Sequence, residues 1–249
     1  MSDKKGFYVI KANADPAVGE LYLYGDIVPG EWAKWDDEDR TAANIRDELA
    51  ALGDITTLNI YINSGGGDVF QGQAIYSILK RHSAEKNVFI DGLAASAASF
   101  IAMAGDTVIM PRNAMIMVHN PWTIALGFAE DLRTVADMLD KVREAMKAAY
   151  LAKIKITDAE LTQLLDAESW LTADEAYTYG FADEIADEVQ IAASVSPEIL
   201  SRYQHVPESL KAALKMGAKT DEKAVEARNE EVASLKKQQE EVRHSLAAL

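Results

Sequence analysis

Asp91-Gly-Leu-Ala-Ala-Ser96-Ala-Ala-Ser-Phe100-Ile-Ala-Met-Ala-Gly105 follows directly on a short apolar run, Val88-Phe-Ile90. The apolar run reads as a buried strand. The small residues after Gly92 are too many and too apolar for a solvent loop, and Phe100, Ile101 and Met103 place a buried helix there. Ser96 therefore sits where a strand hands over to a helix. A hydroxyl at that point faces the unpaired N–H groups of a first helical turn, whose dipole favours a negative oxygen. A serine nucleophile and its oxyanion need that environment. Taken alone, this stretch favours tight packing of the helix as the reason for the same alanines and serines.

Working outward, strands and helices alternate. Leu21–Val28 reads as a strand broken at Gly25, and Glu31–Asp39 as an acidic loop carrying Trp32 and Trp35. Ile45, Leu49 and Leu52 give a helix over 42–52, stopped by Gly53. Ile55–Asn63 reads as a strand, Ser64-Gly-Gly-Gly-Asp68 as a turn, and Val69–Arg81 as a helix. Thr107–Met110 and Ala114–Val118 are short strands around Pro111, and 122–127 is a loop. From Ala129 to about Ile154 runs one long amphipathic helix, read either as a core helix or as one that projects toward a partner subunit. Thr157 caps a helix through Leu165; Thr172 and Glu175 form a capping box on another, ended by Gly180, and Phe181–Ile185 returns as a strand. This alternation predicts an α/β domain with largely parallel strands.

The domain is expected to occupy residues 1–188, with 189–249 a linker and charged helical tail. In the tail Val225, Val232, Leu235, Val242, Leu246 and Leu249 fall on heptad a and d positions, interrupted by Arg228 and Gln239. A short coiled coil and a solvated helix both fit.

Composition excludes several classes. A net charge of -15 argues against a nucleic-acid partner. No run of eighteen apolar residues is present, so no membrane span is expected, and the N-terminus lacks the apolar core of a signal peptide. With no cysteine there is neither a disulfide nor a thiolate; a reducing, cytoplasmic setting fits. His82, His119, His205 and His244 are scattered, so no metal site is expected, and no cofactor is called for.

Some residues could carry chemistry. The glycines of Ser64–Asp68 let a backbone approach a ligand and aim its N–H groups outward, as a phosphate loop or half of an oxyanion hole would, or they simply make a tight turn. No Gly-Lys-Ser/Thr accompanies them, which weakens nucleotide binding. His119 closes an apolar strand, and Asp166 and Glu168 precede Trp170-Leu-Thr. A serine at a helix start, a glycine turn, a histidine and an acid are the parts serine hydrolysis requires. Ser96 is not in Gly-x-Ser-x-Gly, so an α/β-hydrolase elbow is not supported.

Ile62-Asn-Ser-Gly-Gly-Gly67, Gly92-Leu-Ala-Ala-Ser96-Ala97, Met117-Val-His119-Asn-Pro121 and Trp170-Leu-Thr-Ala-Asp-Glu-Ala-Tyr-Thr-Tyr-Gly180 resemble, in order and separation, the motifs of ClpP-type serine peptidases. The resemblance covers roughly residues 20 to 187. It is closest to the phage and prophage head maturation branch, where Asp68-Val-Phe-Gln-Gly-Gln-Ala-Ile-Tyr76 and Gly92–Ser99 look typical. It implies a ClpP/crotonase-like α/β spiral with a long protruding helix and an appended helical tail. It also implies Ser96 as nucleophile, His119 as general base, and the N–H groups of Gly67 and Ala97 as oxyanion hole. The family's acid, usually Asp, falls at Glu168, with Asp166 as the alternative. Gly65 stands where cellular enzymes usually have Pro, and neither residues 1–18 nor the tail after Glu188 can be matched.

The function expected is a serine endopeptidase processing capsid or scaffold protein in phage head maturation, in host cytoplasm or prohead interior. Polypeptide would be its substrate and copies of itself, in a ring or a smaller oligomer, its partners. The alternatives are a bacterial proteolytic subunit fed by an ATP-driven unfoldase, which the unmatched N-terminus disfavours, and a catalytically degenerate assembly subunit. A crotonase-fold acyl-CoA enzyme would not need Ser96 and His119 together.

Overall fold

The computed structural model describes residues 15–35, 37–188, 201, 203–208 and 210–211. The chain divides into two compact units, Met1–Pro207 and Glu208–Leu249. In the second, Glu208 and Lys211 pair at 2.7 Å; the heptad positions of the tail lie outside the described residues.

The first unit is a mixed α/β fold with a mostly parallel seven-stranded sheet. Its elements run β1 (Val18–Tyr24), α1 (Ala42–Leu52), β2 (Thr57–Ser64), α2 (Val69–Arg81), β3 (Glu85–Ala95), α3 (Ala97–Ala102), β4 (Thr107–Pro111), β5 (Met115–Val118), α4 (Ala129–Leu151), α5 (Asp158–Asp166), β6 (Ser169–Thr172), α6 (Ala173–Tyr179) and β7 (Glu184–Ala186). The order β1-β2-β3-β4-β7 is parallel throughout, and α1 and α2 supply the first crossovers that parallel pairing requires.

β3 decides where the site forms. Its first half alternates buried and half-buried residues and pairs β4 through Asn87–Phe89. Its second half, Leu93–Ala95, leaves β4 and pairs β5 at Met115–Met117, with both faces covered. The strand therefore runs five residues beyond the expected Ile90, and the helix expected through the small-residue segment shrinks to the six residues of α3. Backbone pairing to β5 outweighs the helix propensity of Ala94 and Ala95, and small side chains fit where two layers close over one strand. β6, antiparallel to β5, lies where the sequence predicts no strand. Four residues between two helices give too short a period-2 signal.

The helix ends follow their caps. Asp68 accepts from the Gln71 N–H at 2.8 Å at the start of α2, and Thr172 and Glu175 cap α6 reciprocally, as their spacing predicts. Gly180 closes α6 at φ 87°. In α4, Met146 and Tyr150 are buried in the last turns, while Leu132 and Met138 further up are exposed.

Candidate functional site

Ser96 is the hinge between β3 and α3, and its φ of 52° is a value few non-glycine residues adopt. Its main chain is held on both sides. The N–H donates to the Met117 carbonyl of β5 at 2.9 Å, and the carbonyl accepts from the Ser99 N–H at 2.9 Å and the Ser99 hydroxyl at 2.6 Å. Ser99 in turn bonds the buried Tyr150 hydroxyl at 2.7 Å, tying the serine turn to α4. Constraint from a strand, a helix and a buried side-chain pair is what allows such a dihedral to persist.

The glycine turn packs directly on this hinge. Gly66 has φ 89°, and a Cβ there would sit 2.5 Å from the Ala95 carbonyl oxygen and 2.8 Å from the Ser96 Cβ. Only glycine lets the turn come so close to the serine. Ile27 bonds the Gly66 carbonyl and the Asp68 N–H, a bridge that turns the N–H of Gly67 away from Ile27. Ala97, first residue of α3, has one of the N–H groups that a helix leaves without an internal partner.

His119 leaves β5 as a buried residue and puts Nε2 2.7 Å from Ser96 Oγ. Burial pushes its pKa below the ordinary histidine value, and the charge of Glu168 partly opposes this. A neutral ring with its proton on Nδ1 leaves Nε2 free to accept the Ser96 hydroxyl proton. Ser96 is half-buried, and Gly67 is exposed.

The two acids sit differently. Glu168, itself at φ 49° between α5 and β6, is near enough to influence His119 electrostatically. Among the described residues no hydrogen bond joins them; Glu168 Oε1 accepts instead from the His205 N–H at 2.7 Å. Asp166 accepts from Asn120 Nδ2 at 2.7 Å and so holds the residue after His119 rather than the imidazole.

Sequence reasoning missed residues 203–207. The Tyr203 ring meets His119 edge-on at 5.2 Å between centroids and Trp170 at 5.9 Å. Its hydroxyl donates to the Gly65 carbonyl at 2.6 Å, and Val206 is buried. This segment lies beyond all the motifs, between two prolines, with no periodicity to mark it. Among the described residues no cluster of acids and histidines could hold a metal ion, and no helix is long and apolar enough to cross a membrane.

The sequence model of the Clp protease family matches residues 34–189, a span that holds the serine, the histidine, the glycine turn and both acids. This chain belongs to the Clp protease family. An ATP-dependent Clp protease proteolytic subunit of Bacteroides fragilis is 29% identical over 154 residues, 59% of this chain and 74% of the relative. ATP-dependent Clp protease proteolytic subunit 3 of Streptomyces coelicolor is 31% identical over 157 residues, 62% of this chain and 70% of its own length. Family membership at this identity goes with the mixed α/β architecture described above. The segment 203–207 lies outside the span that the family model matches.

Proposed function

We propose that this Clp-family chain is a serine endopeptidase. The observation that carries the reading is the 2.7 Å pair of Ser96 Oγ and His119 Nε2 on a strained hinge against which a glycine turn is packed. His119 takes the hydroxyl proton as Ser96 Oγ attacks the scissile carbonyl carbon. The N–H groups of Gly67 and Ala97 receive the oxyanion. His119 then returns the proton to the leaving amine, and the acyl-serine is hydrolysed by water activated through the same imidazole. Glu168 contributes a negative charge that favours the imidazolium; Asp166 acts through Asn120 as a holder of the loop. The chemistry asks for no cofactor.

The substrate we assign is a capsid or scaffold polypeptide, processed during phage head assembly in host cytoplasm or the prohead. The form of the glycine-turn and serine motifs and the charged segment after the peptidase unit support this. Self-association into a ring or smaller oligomer is supported by the exposed apolar residues Ile124, Leu126 and Phe128 leading into α4. Names of the relatives favour a second reading, a proteolytic subunit served by an ATP-driven unfoldase. Co-expression with a capsid precursor, in wild type and Ser96→Ala, tests the first: a processed precursor is expected only with wild type. Unprocessed precursor, together with unfolded-protein cleavage that requires an added Clp ATPase, would establish the second. Precursor processing that survives Ser96→Ala would leave an assembly role without catalysis.

A further inference from the structure

Tyr203 touches both walls of the cleft at Ser96. One wall is the glycine turn, whose Gly65 carbonyl accepts the phenol hydroxyl at 2.6 Å. The other is His119 with Trp170 behind it, both edge-on to the phenol ring. Ser96 is held between these walls, its hydroxyl 2.7 Å from His119 and its Cβ so close to the turn that only a glycine fits at position 66. A ring that bridges both walls therefore lies across the approach to the hydroxyl. Two further contacts pin it there: the His205 N–H on Glu168 Oε1 at 2.7 Å, and the buried Val206. Gln204 and His205 are exposed, so the segment is held at its two ends, by Tyr203 and by Val206, with a solvent-facing bend between them.

We infer that the cleft at Ser96 contains a side-chain subsite for an aromatic residue with a hydroxyl, walled by His119, Trp170 and the Gly65 carbonyl, and that the chain's own Tyr203 fills it. Residues 203–206 thus form an internal strap that competes with polypeptide substrate, a regulation that rests on the serine peptidase reading above. The strap also engages Glu168, so that its departure opens the cleft and frees that carboxylate in one event. Because the strap is tethered, its local concentration is on the order of millimolar and a modest intrinsic affinity is enough to hold the cleft closed.

The test is the second-order rate of modification by a fluorophosphonate, read on the intact full-length chain with the adduct mapped to Ser96. Tyr203→Ala is expected to react roughly tenfold faster than wild type, the worth of an aromatic contact set and one hydrogen bond. Tyr203→Phe, which keeps the ring and loses only the bond to Gly65, is expected between the two. A synthetic peptide of residues 201–207, added to Tyr203→Ala at about millimolar concentration, is expected to slow the reaction again, which shows that the variant keeps a folded cleft. Equal rates in wild type and Tyr203→Ala, both at Ser96, overturn the strap and leave the serine reading intact. A slower Tyr203→Ala that the peptide does not protect overturns it as well, making Tyr203 a support of His119. Absence of any Ser96 adduct in all three proteins removes the nucleophile and the strap with it.

Discussion

His119 works at the residue scale through a conflict between burial and charge. Burial favours the neutral ring and outweighs the opposing influence of Glu168, so the base is available below the ordinary histidine value of about 6.5. A base must be unprotonated, so activity falls as pH drops through the depressed pKa. The acid limb of kcat/KM is expected to inflect below pH 6.5, and Glu168→Gln, which removes the favourable charge, should move it lower still. An inflection that rises on Glu168→Gln would contradict this sign. Gly66 is the second single-residue test. A methyl at Gly66→Ala meets the Ala95 carbonyl and the Ser96 Cβ in a backbone region hostile to side chains. Displacing the Ser96 hydroxyl by about 1 Å to relieve that contact is expected to cost about a hundredfold in kcat/KM while the melting transition persists. Unchanged kinetics would mean that the turn does not touch the working hydroxyl.

Elements show how far the sequence could be read. Hydrophobic periodicity located the helices now seen as α1 and α2, and capping residues located α5 and α6. The four motifs brought Ser96, His119 and the glycine turn onto one list, and the structure brings them within contact. The boundary of β3 was not legible, because pairing of Leu93–Ala95 with β5 is a long-range event that alanine-rich sequence does not announce. Tyr203 was not legible either, since its partners lie more than thirty residues upstream and its neighbours have no pattern. What holds α3 in place is testable at this scale. Tyr150 is fully buried, bonds Ser99 and meets Phe100 edge-on at 6.3 Å. Tyr150→Phe removes one buried hydrogen bond, while the Ser99 hydroxyl keeps its bond to the Ser96 carbonyl, and should cost about 1 kcal/mol in denaturant unfolding. Phe100→Ala, which empties a fully buried site, should cost about 3 to 5 kcal/mol. Both act through the turn that carries Ser96, so loss of activity should track loss of stability.

For the whole molecule, the parallel sheet is a platform whose strands β3 and β5 end at one place, delivering the serine and the histidine from different parts of the chain. The exposed loop before α4 is a second organised surface. Leu126 and Phe128 are 83% and 85% exposed, a poor arrangement for an isolated subunit and a good one for an interface between copies. The double substitution Leu126→Asp with Phe128→Asp is expected to shift sedimentation velocity profiles toward smaller species without changing the melting transition of the subunit. An unchanged profile would take this loop out of any interface between copies. Joining these scales is one claim, that the hydroxyl of Ser96 is a nucleophile whose proton goes to His119. The most direct measurement is tandem mass spectrometry of the chain after fluorophosphonate treatment, for wild type, Ser96→Ala and His119→Ala. The account predicts a single adduct on Ser96 in wild type and none at that position in either variant; an adduct on Ser96 that forms equally well without His119, or no adduct on wild type while a fluorophosphonate-reactive control enzyme is fully labelled, would contradict it.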